Sequence, residues 1–502
     1  MGEPFYITTA ISYPNGRPHI GHAYEAIAAD AIARFQRARG RDVRLVTGTD
    51  EHGLKMAQTA RREGRGTLEF ADEMSGYFRD MCAGLGVSYD AFVRTSEPRH
   101  HQASIAVWKA MEAAGDLYLD RYEGWYSVRD EAFYDESELI AGEGGEKVSP
   151  QGTPVEWTQE ETWFFRLSKY QQPLLDHYVS NPGFIQPDSR RNEVLRFVEG
   201  GLKDLSVSRT SFDWGVPVPG SPGHVMYVWV DALTTYMTGV GFPERDGDWA
   251  RYWPADVHLI GKDIVRFHAV YWPAFLMSAG LPLPKQVYAH GFLLARGEKM
   301  SKSLGNVVDP MALAERFGVD SLRYFLLREV TFGQDGSYSA EAIVSRCNAE
   351  LANSFGNLAQ RTLSMIFKNL DGVMPAAGDA AEDRALLAQV EQACAALAAE
   401  FERFAFSAGL EAWMAAVFAC NQYVDAAAPW ALRKTDPERM AQVLGTLVVA
   451  IRALTVAVAP VIPGSADKLL TLIDSGQGGT PIAQPQPIFP RLDLAEEEGE
   501  AA

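Results

Sequence analysis

Two lysines three residues apart sit in the run Glu298-Lys299-Met300-Ser301-Lys302-Ser303-Leu304-Gly305-Asn306, which follows Gly297. A short loop of this kind can bring two ammonium groups and several backbone N–H groups onto one anion. Far upstream lies His19-Ile20-Gly21-His22. This tetrapeptide falls between an expected strand and an expected helix start, where free N–H groups and the helix dipole favour negative charge. Its two imidazoles can donate hydrogen bonds to phosphate oxygens, and Gly21 leaves room for a nucleotide close to the backbone. Taken alone, the two histidines read equally well as surface or packing residues. The lysine loop is more specific, because a merely solvated basic loop needs neither the serines nor the flanking glycines.

The elements that must position these groups follow from the pattern. Phe5-Tyr6-Ile7-Thr8-Thr9 is aromatic and β-branched and predicts a strand. Tyr13-Pro14-Asn15-Gly16-Arg17-Pro18 is a dense turn signal. Ala23, Ala26, Ile27, Ile32 and Phe35 recur at helical spacing up to Ala38, before Gly40. Val43-Arg44-Leu45-Val46-Thr47 predicts the next strand. This is the opening of a parallel nucleotide-binding sheet, α/β in class. The same grammar returns with expected strands at Met226–Val230, Val257–Ile260 and Gln286–Ala289, and a helical pattern from Ile264 to Ser278. The sheet is therefore expected to be split, with residues 117–225 inserted as a small α/β module. From Ala340 onward the chain is Ala-rich and helical in pattern, broken at Asp371–Pro375, Ala428-Pro429 and Pro460, which predicts a helical bundle.

Composition bounds these readings. A chain of 502 residues with 47% hydrophobic and 22% charged residues is a globular composition, large enough for several cores. The cysteines Cys82, Cys347, Cys394 and Cys420 have neither metal-ligand nor redox spacing, which predicts free thiols in a reducing compartment. Met1–Phe5 has no signal-peptide or transit pattern, so a cytoplasmic protein is expected. Leu444–Ile462 is apolar but interrupted by Gly445, Arg452 and Pro460, and reads as a bundle helix rather than a membrane span. The net charge of −19 argues mildly against a nucleic-acid partner, although a local basic patch decides docking. Part of the excess sits in the acidic segment Asp493–Glu500, expected to be disordered.

The two motifs, in this order, resemble the class I aminoacyl-tRNA synthetases. Within them the chain resembles the methionyl-tRNA synthetase family over nearly its whole length. The likeness rests on Tyr13-Pro14-Asn15-Gly16, Gly48-Thr49-Asp50-Glu51-His52-Gly53, Val228-Trp229-Val230-Asp231-Ala232-Leu233, Gly261-Lys262-Asp263-Ile264-Val265-Arg266-Phe267-His268 and Ala428-Pro429-Trp430. The resemblance implies activation of L-methionine by ATP with Mg²⁺, then transfer to the 3′ end of tRNA(Met). It also implies a division into 1–116 and 226–295 as the two halves of a Rossmann-like catalytic domain and 117–225 as a connective insert. Residues 296–340 would form a stem-contact region carrying the lysine loop, 341–488 an α-helical anticodon-binding domain, and 489–502 a disordered tail.

The resemblance assigns roles residue by residue. His19, His22, Lys299 and Lys302 are expected to act on the phosphates. Gly21, Gly261, Asp263, Leu293, Met300 and Ser301 join them around ATP. Ala10, Ile11, Tyr13, Asp50, Trp229, Ala232, Leu233, Tyr236, Ile264, Phe267 and His268 are expected around methionine, with Asp50 on the α-ammonium group. An apolar, polarisable thioether suits such aromatic walls. Asn357, Arg361 and Trp430 fall at the family's anticodon-reading positions, where Trp can stack a base and Asn and Arg can read base edges. Many relatives carry paired zinc cysteines in the insert; here Ser127 and Asp130 stand at one such pair, so no structural zinc is expected. The chain ends without the extra C-terminal module of some members, and a monomer is expected. Three rivals remain open: another class I synthetase, a small-molecule adenylyltransferase, and an inert scaffold that only binds tRNA.

Overall fold

The computed structural model describes residues 2–130, 132–142, 145–295 and 308–494. The chain divides into two compact units. The first comprises Met1–Pro18, Arg39–Ala83 and Ser88–His290; the second comprises His19–Ala38, Gly84–Val87 and Gly291–Ala502.

The first unit is built on a six-stranded parallel sheet. Its strands are β1 (Pro4–Thr9), β2 (Asp42–Thr49), β3 (Ala91–Arg94), β4 (Ile185–Gln186), β5 (Val257–Gly261) and β6 (Val287–His290). They lie in the order β3-β2-β1-β5-β6-β4. Parallel strands covered on both faces are apolar throughout rather than alternating. Tyr6, Ile7, Thr8 and Thr9 of β1 and Val257 through Ile260 of β5 are all buried accordingly. β1 and β5 are neighbours although 250 residues separate Ile7 from its partner Val257. The chain winds outward on either side of that pair, so the crevice past the carboxyl ends of β1 and β5 is where such a sheet binds its ligand.

The inserted stretch forms an antiparallel sheet in which Leu117–Ser127 pairs along its length with Glu156–Phe165, flanked by Ala132–Tyr134 and Leu205–Ser206. Two expectations are corrected here. Ile185–Gln186, inside that stretch, is an edge strand of the central sheet, paired with Val287 and Tyr288. Met226–Val230 is not a strand: only Val225–Met226 pairs, with Ser208–Arg209, and a helix runs from Val228 to Thr238. This helix is buried almost all round, from Val230 through Thr238. A helix buried on every face shows no apolar stripe, and a short β-branched run then mimics a strand.

Among the described residues the second unit is helical apart from connecting segments and a two-stranded parallel pair, Leu293–Ala295 with Gly336–Tyr338. Its first helix, Ile20–Ala38, comes from the start of the chain. Inside that helix Asp30 is fully buried and ion-paired with the fully buried Arg323 at 2.6 Å. Arg323 also donates to the carbonyls of Leu85, Pro460 and Val461 at 3.1, 3.0 and 2.9 Å. The bundle breaks where the sequence indicated: helices end at Asn369 and Ala427 and resume at Ala381 and Pro429, with Ala428 at φ 45°. Pro437–Val458 is long and apolar enough to cross a membrane, but Val443, Leu444, Leu447, Ile451 and Leu454 are buried within the protein. The expected disorder from residue 489 is corrected for residues 489–494, while 495–502 lie outside the described residues. Phe489 and Leu492 are buried, and Asn348 exchanges two hydrogen bonds with the backbone of Leu492 at 2.7 and 2.8 Å.

Candidate active site

In the second unit, His19 and His22 form a cap on the helix that begins at Ile20. The His19 N–H donates to Nδ1 of His22 and the Gly21 N–H donates to Nδ1 of His19, both at 3.1 Å. The two rings stack with centroids 3.8 Å apart. This is a capping box made of imidazoles. A ring nitrogen that accepts a hydrogen bond carries no proton, so each neutral ring holds its proton on Nε2 and presents it as a donor. Gly21 is required for the fold of the cap: a Cβ there would sit 2.9 Å from Cε1 of His19. The expectation of free backbone N–H groups is corrected. Ile20 donates to the carbonyl of Val308, and His22 to that of His19.

In the first unit, Ala10, Ile11 and Tyr13 follow the end of β1. Ala10 N–H donates to the Leu259 carbonyl at 2.9 Å. Ser12 bridges to the end of β2: its N–H donates to Gly48 and its carbonyl accepts from Asp50 N–H, at 3.0 and 2.8 Å. The Tyr13 hydroxyl accepts from the Met56 N–H. Asp50 is thereby set beside the Ile11–Tyr13 segment and is nearly buried.

The helix Val228–Thr238 carries Trp229, Ala232, Leu233 and Tyr236. Trp229 stacks on Phe267 and meets His268 edge-on. Phe267 and His268 lie on a π-helical turn, Phe267–Tyr271, which follows the Lys262–Ile264 turn. Ala10, Trp229 and Ile264 all pack against the core that contains Leu233 and Tyr236. Nδ1 of His268 donates to the Ile264 carbonyl at 3.0 Å, which leaves Nε2 to accept from the Tyr236 hydroxyl at 2.6 Å. Burial pushes the His268 pKa down to about 4. The ring is therefore neutral at physiological pH, and the wall made by these residues is aromatic and uncharged.

The loop bearing Asp50 is held by residues that the motif reading did not assign. Arg94 grips both oxygens of Glu51 at 2.7 and 2.9 Å, and Ser96 and Thr49 also donate to that carboxylate. Thr95 accepts the Glu51 N–H, and the Trp214 indole donates to the Glu51 carbonyl. His52 Nδ1 donates to Asp231 Oδ2 at 2.5 Å. Gly53, at φ 106° and ψ 163°, closes the turn in a conformation open to glycine. Asp50-Glu51-His52 was the available signal, since three consecutive ionisable residues in a strand end are costly unless each is partnered.

Gly261 ends β5 and Asp263 lies on the exposed turn after it; a Cβ on Gly261 would meet Asp263 Oδ1 at 2.7 Å. Asp263 and Phe267 share a cavity of about 400 Å³ with Tyr227, Lys262, Arg266 and Tyr271. Leu293 is buried in the second unit. Lys299, Met300, Ser301 and Lys302 lie outside the described residues.

The three base-reading candidates converge. Asn357 and Arg361 are one turn apart on the helix Asn357–Asn369, and the Arg361 guanidinium lies 5.4 Å from the ring centre of Trp430. Trp430 is 48% exposed, well above a packing residue. In the insert, Asp130 Oδ2 accepts from Ser149 and Thr153 at 2.7 and 2.5 Å, and Ser127 bonds Thr153 at 2.7 Å. One carboxylate and three hydroxyls do not match the thiolate and imidazole set that zinc takes.

A split parallel sheet with Ala10, Ile11 and Tyr13 just past β1 and Asp263 just past β5, a histidine-capped helix and a helical C-terminal unit define a class I aminoacyl-tRNA synthetase. The family model for tRNA synthetases class I (M) matches residues 5–363, and that for the anticodon binding domain of methionyl tRNA ligase matches residues 374–486. The chain is similar to the methionine–tRNA ligase of Brucella suis, with 58% identity covering 99% of each chain. It is 55% identical to that of Mycobacterium tuberculosis H37Rv, over 97% of this chain and 98% of that one. Among solved structures, Mycobacterium tuberculosis methionyl-tRNA synthetase in complex with methionyl-adenylate matches with a TM-score of 0.94 and 54% identity, covering 97% and 100%. The chain belongs to the methionine–tRNA ligase family.

Proposed function

We propose that this chain carries out its family's reaction as follows. The carboxylate of L-methionine attacks the α-phosphorus of ATP, the bond to pyrophosphate breaks, and methionyl-adenylate forms. The terminal adenosine of tRNA(Met) then takes the methionyl group and AMP leaves. The attacking group belongs to the substrate, so the protein aligns reactants and stabilises phosphate charge rather than supplying a nucleophile. His19 and His22 donate from Nε2–H, and Lys299 and Lys302 neutralise the departing pyrophosphate. Gly261 admits the nucleotide and Asp263 accepts from ribose hydroxyls. Mg²⁺ enters with ATP, held by phosphate oxygens and water. Asp50 pairs with the α-ammonium group. Asn357, Arg361 and Trp430 read the anticodon. The enzyme works as a cytoplasmic monomer.

The observation that carries methionine over another amino acid is the neutral aromatic wall of Trp229, Phe267, Tyr236 and His268. Such a wall attracts a thioether without offering a charge. Pyrophosphate exchange assayed with each standard amino acid tests the reading. Exchange dependent on methionine supports it, and exchange with none supports an inert scaffold. Lys302→Ala should cut adenylate formation far more than methionine binding; equal activity would remove Lys302 from its role.

A further inference from the structure

Asp231 sits one side of the helix Val228–Thr238, is 1% exposed, and has both carboxylate oxygens engaged. Oδ2 accepts from His52 Nδ1 at 2.5 Å and Oδ1 from His100 Nε2 at 2.6 Å. Burial acts to raise its pKa, but His52 and His100 outweigh that and hold it below the ordinary carboxylate range. His100, on the helix Pro98–Ala113, also bonds Thr238 Oγ1 through Nδ1 at 2.9 Å. Asp231 and Thr238 are seven residues apart, two turns along one face. His100 therefore lies as a strut along that face and fixes the rotation of the helix about its axis. Trp229, two residues before Asp231, points to a different side, toward Phe267.

A buried carboxylate is expensive, and apolar residues of the same volume would often give a more stable core. Its retention asks for a reason, and its partner supplies one. His52 is two residues from Asp50. The His52–Asp231 bond joins the loop that carries the ammonium-binding carboxylate to the helix that carries the side-chain wall, across 179 residues of sequence. The other side of the same loop is fixed by Arg94 on Glu51.

We infer that Asp231 and His52 are positioning residues that set the distance between the ammonium end and the thioether end of the amino-acid site, with His100 holding Asp231 in register. The inference rests on the reading of Asp50 as the ammonium partner. The link acts on the ammonium contact specifically, so its loss is felt by methionine and not by an analogue lacking the amino group. The probe is the 2-hydroxy analogue of methionine, used as a competitor of pyrophosphate exchange.

His52→Leu removes the donor to Asp231, whereas His52→Asn places an amide N–H near the position of Nδ1. His52→Leu is expected to raise the methionine KM roughly tenfold. The ATP KM and the inhibition constant of the hydroxy analogue should stay within about twofold. His52→Asn is expected to recover most of the loss. A merely structural role would weaken methionine and the analogue together, and that result would overturn the inference, as would a leucine variant with unchanged methionine KM. Should His52→Leu not fold, Asp231→Asn is read by the same ratio. Asp50→Ala separates the two readings: if it too leaves the methionine-to-analogue ratio unchanged, the ammonium assignment fails; if it collapses the ratio while the His52 and Asp231 variants do not, only the coupling fails.

Discussion

The indole of Trp229 lies flat on the ring of Phe267, with centroids 3.8 Å apart and planes 4° from parallel. Parallel stacking of this kind ties two aromatic residues from different helical segments into one polarisable unit. Trp229→Ala should raise the methionine KM by about tenfold or more, a loss of about 1.4 kcal/mol or more. Trp229→Phe should keep most of the contact. Steady-state exchange kinetics check both, and an unchanged KM in the alanine variant would place Trp229 in packing alone.

The neutral His268 gives a pH dependence of stability. Its pKa is about 4 in the fold, through burial, and His258 is likewise held well below its ordinary value by burial. In the unfolded chain both titrate near the ordinary value of about 6.5. Between the two values the unfolded state binds more protons, so acid favours unfolding: the stability is whole above about pH 6.5 and is lost as pH falls toward 4. Each group contributes about 1.36 kcal/mol per pH unit in that window. The urea midpoint should fall between pH 7 and pH 5, and His268→Gln should make the fall shallower. An identical pH profile in the variant would show that His268 is not neutral in the fold.

Gly21→Ala tests the histidine cap. The added Cβ meets the His19 ring at 2.9 Å, with little room for it to yield, since the ring is stacked on His22. The exchange kcat should fall at least about tenfold, as expected when phosphate donors are misplaced. The methionine KM should be unaffected. A kcat equal to the parent enzyme's would mean that the cap has no part in activation.

Trp430→Ala should separate the two half-reactions. Stacking of a base on an aromatic ring contributes about 1–3 kcal/mol. Charging of tRNA(Met) should therefore lose about tenfold in kcat/KM while pyrophosphate exchange is unchanged. An equal drop in both assays would assign Trp430 to folding.

Arg323→Met leaves Asp30 buried without its fully buried ion-pair partner, beside the partly exposed Arg34 at 2.8 Å. Breaking a buried pair in this way costs about 3 kcal/mol or more. The urea midpoint of the variant should drop clearly. The double variant with Asp30→Asn should lose less than the sum of the single losses, because the two charges are coupled. Additive losses would show the pair to be independent.

The sequence made some of this legible and hid the rest for physical reasons. β1, β2, β5, β6 and the helix Ile20–Ala38 were readable because apolar period and turn chemistry agree there. The helix at Val228 was not, because burial on all sides erases its stripe and leaves a β-branched run. The two histidines of the cap were singled out by residue type as imidazole donors; the main-chain N–H groups expected to join them are engaged within the fold instead, those of His19 and Gly21 closing the cap itself. Asp50 was singled out through its motif, yet the residues that hold its loop, Arg94 on Glu51 and Asp231 on His52, were not, because nothing local in the sequence ties residue 52 to residue 231.

The Asp30–Arg323 pair also has a consequence for how the chain is made. The two residues are 293 positions apart. At synthesis rates of about 5–20 residues per second, roughly 15–60 seconds pass between the emergence of the aspartate and that of its arginine. Through that interval the helix Ile20–Ala38 has no permanent home for Asp30, and the carbonyls of Pro460 and Val461 that also hold Arg323 arrive later still. A nascent chain stalled short of residue 323 would therefore carry its first helix undocked from the unit it belongs to, with an apolar surface open to a chaperone.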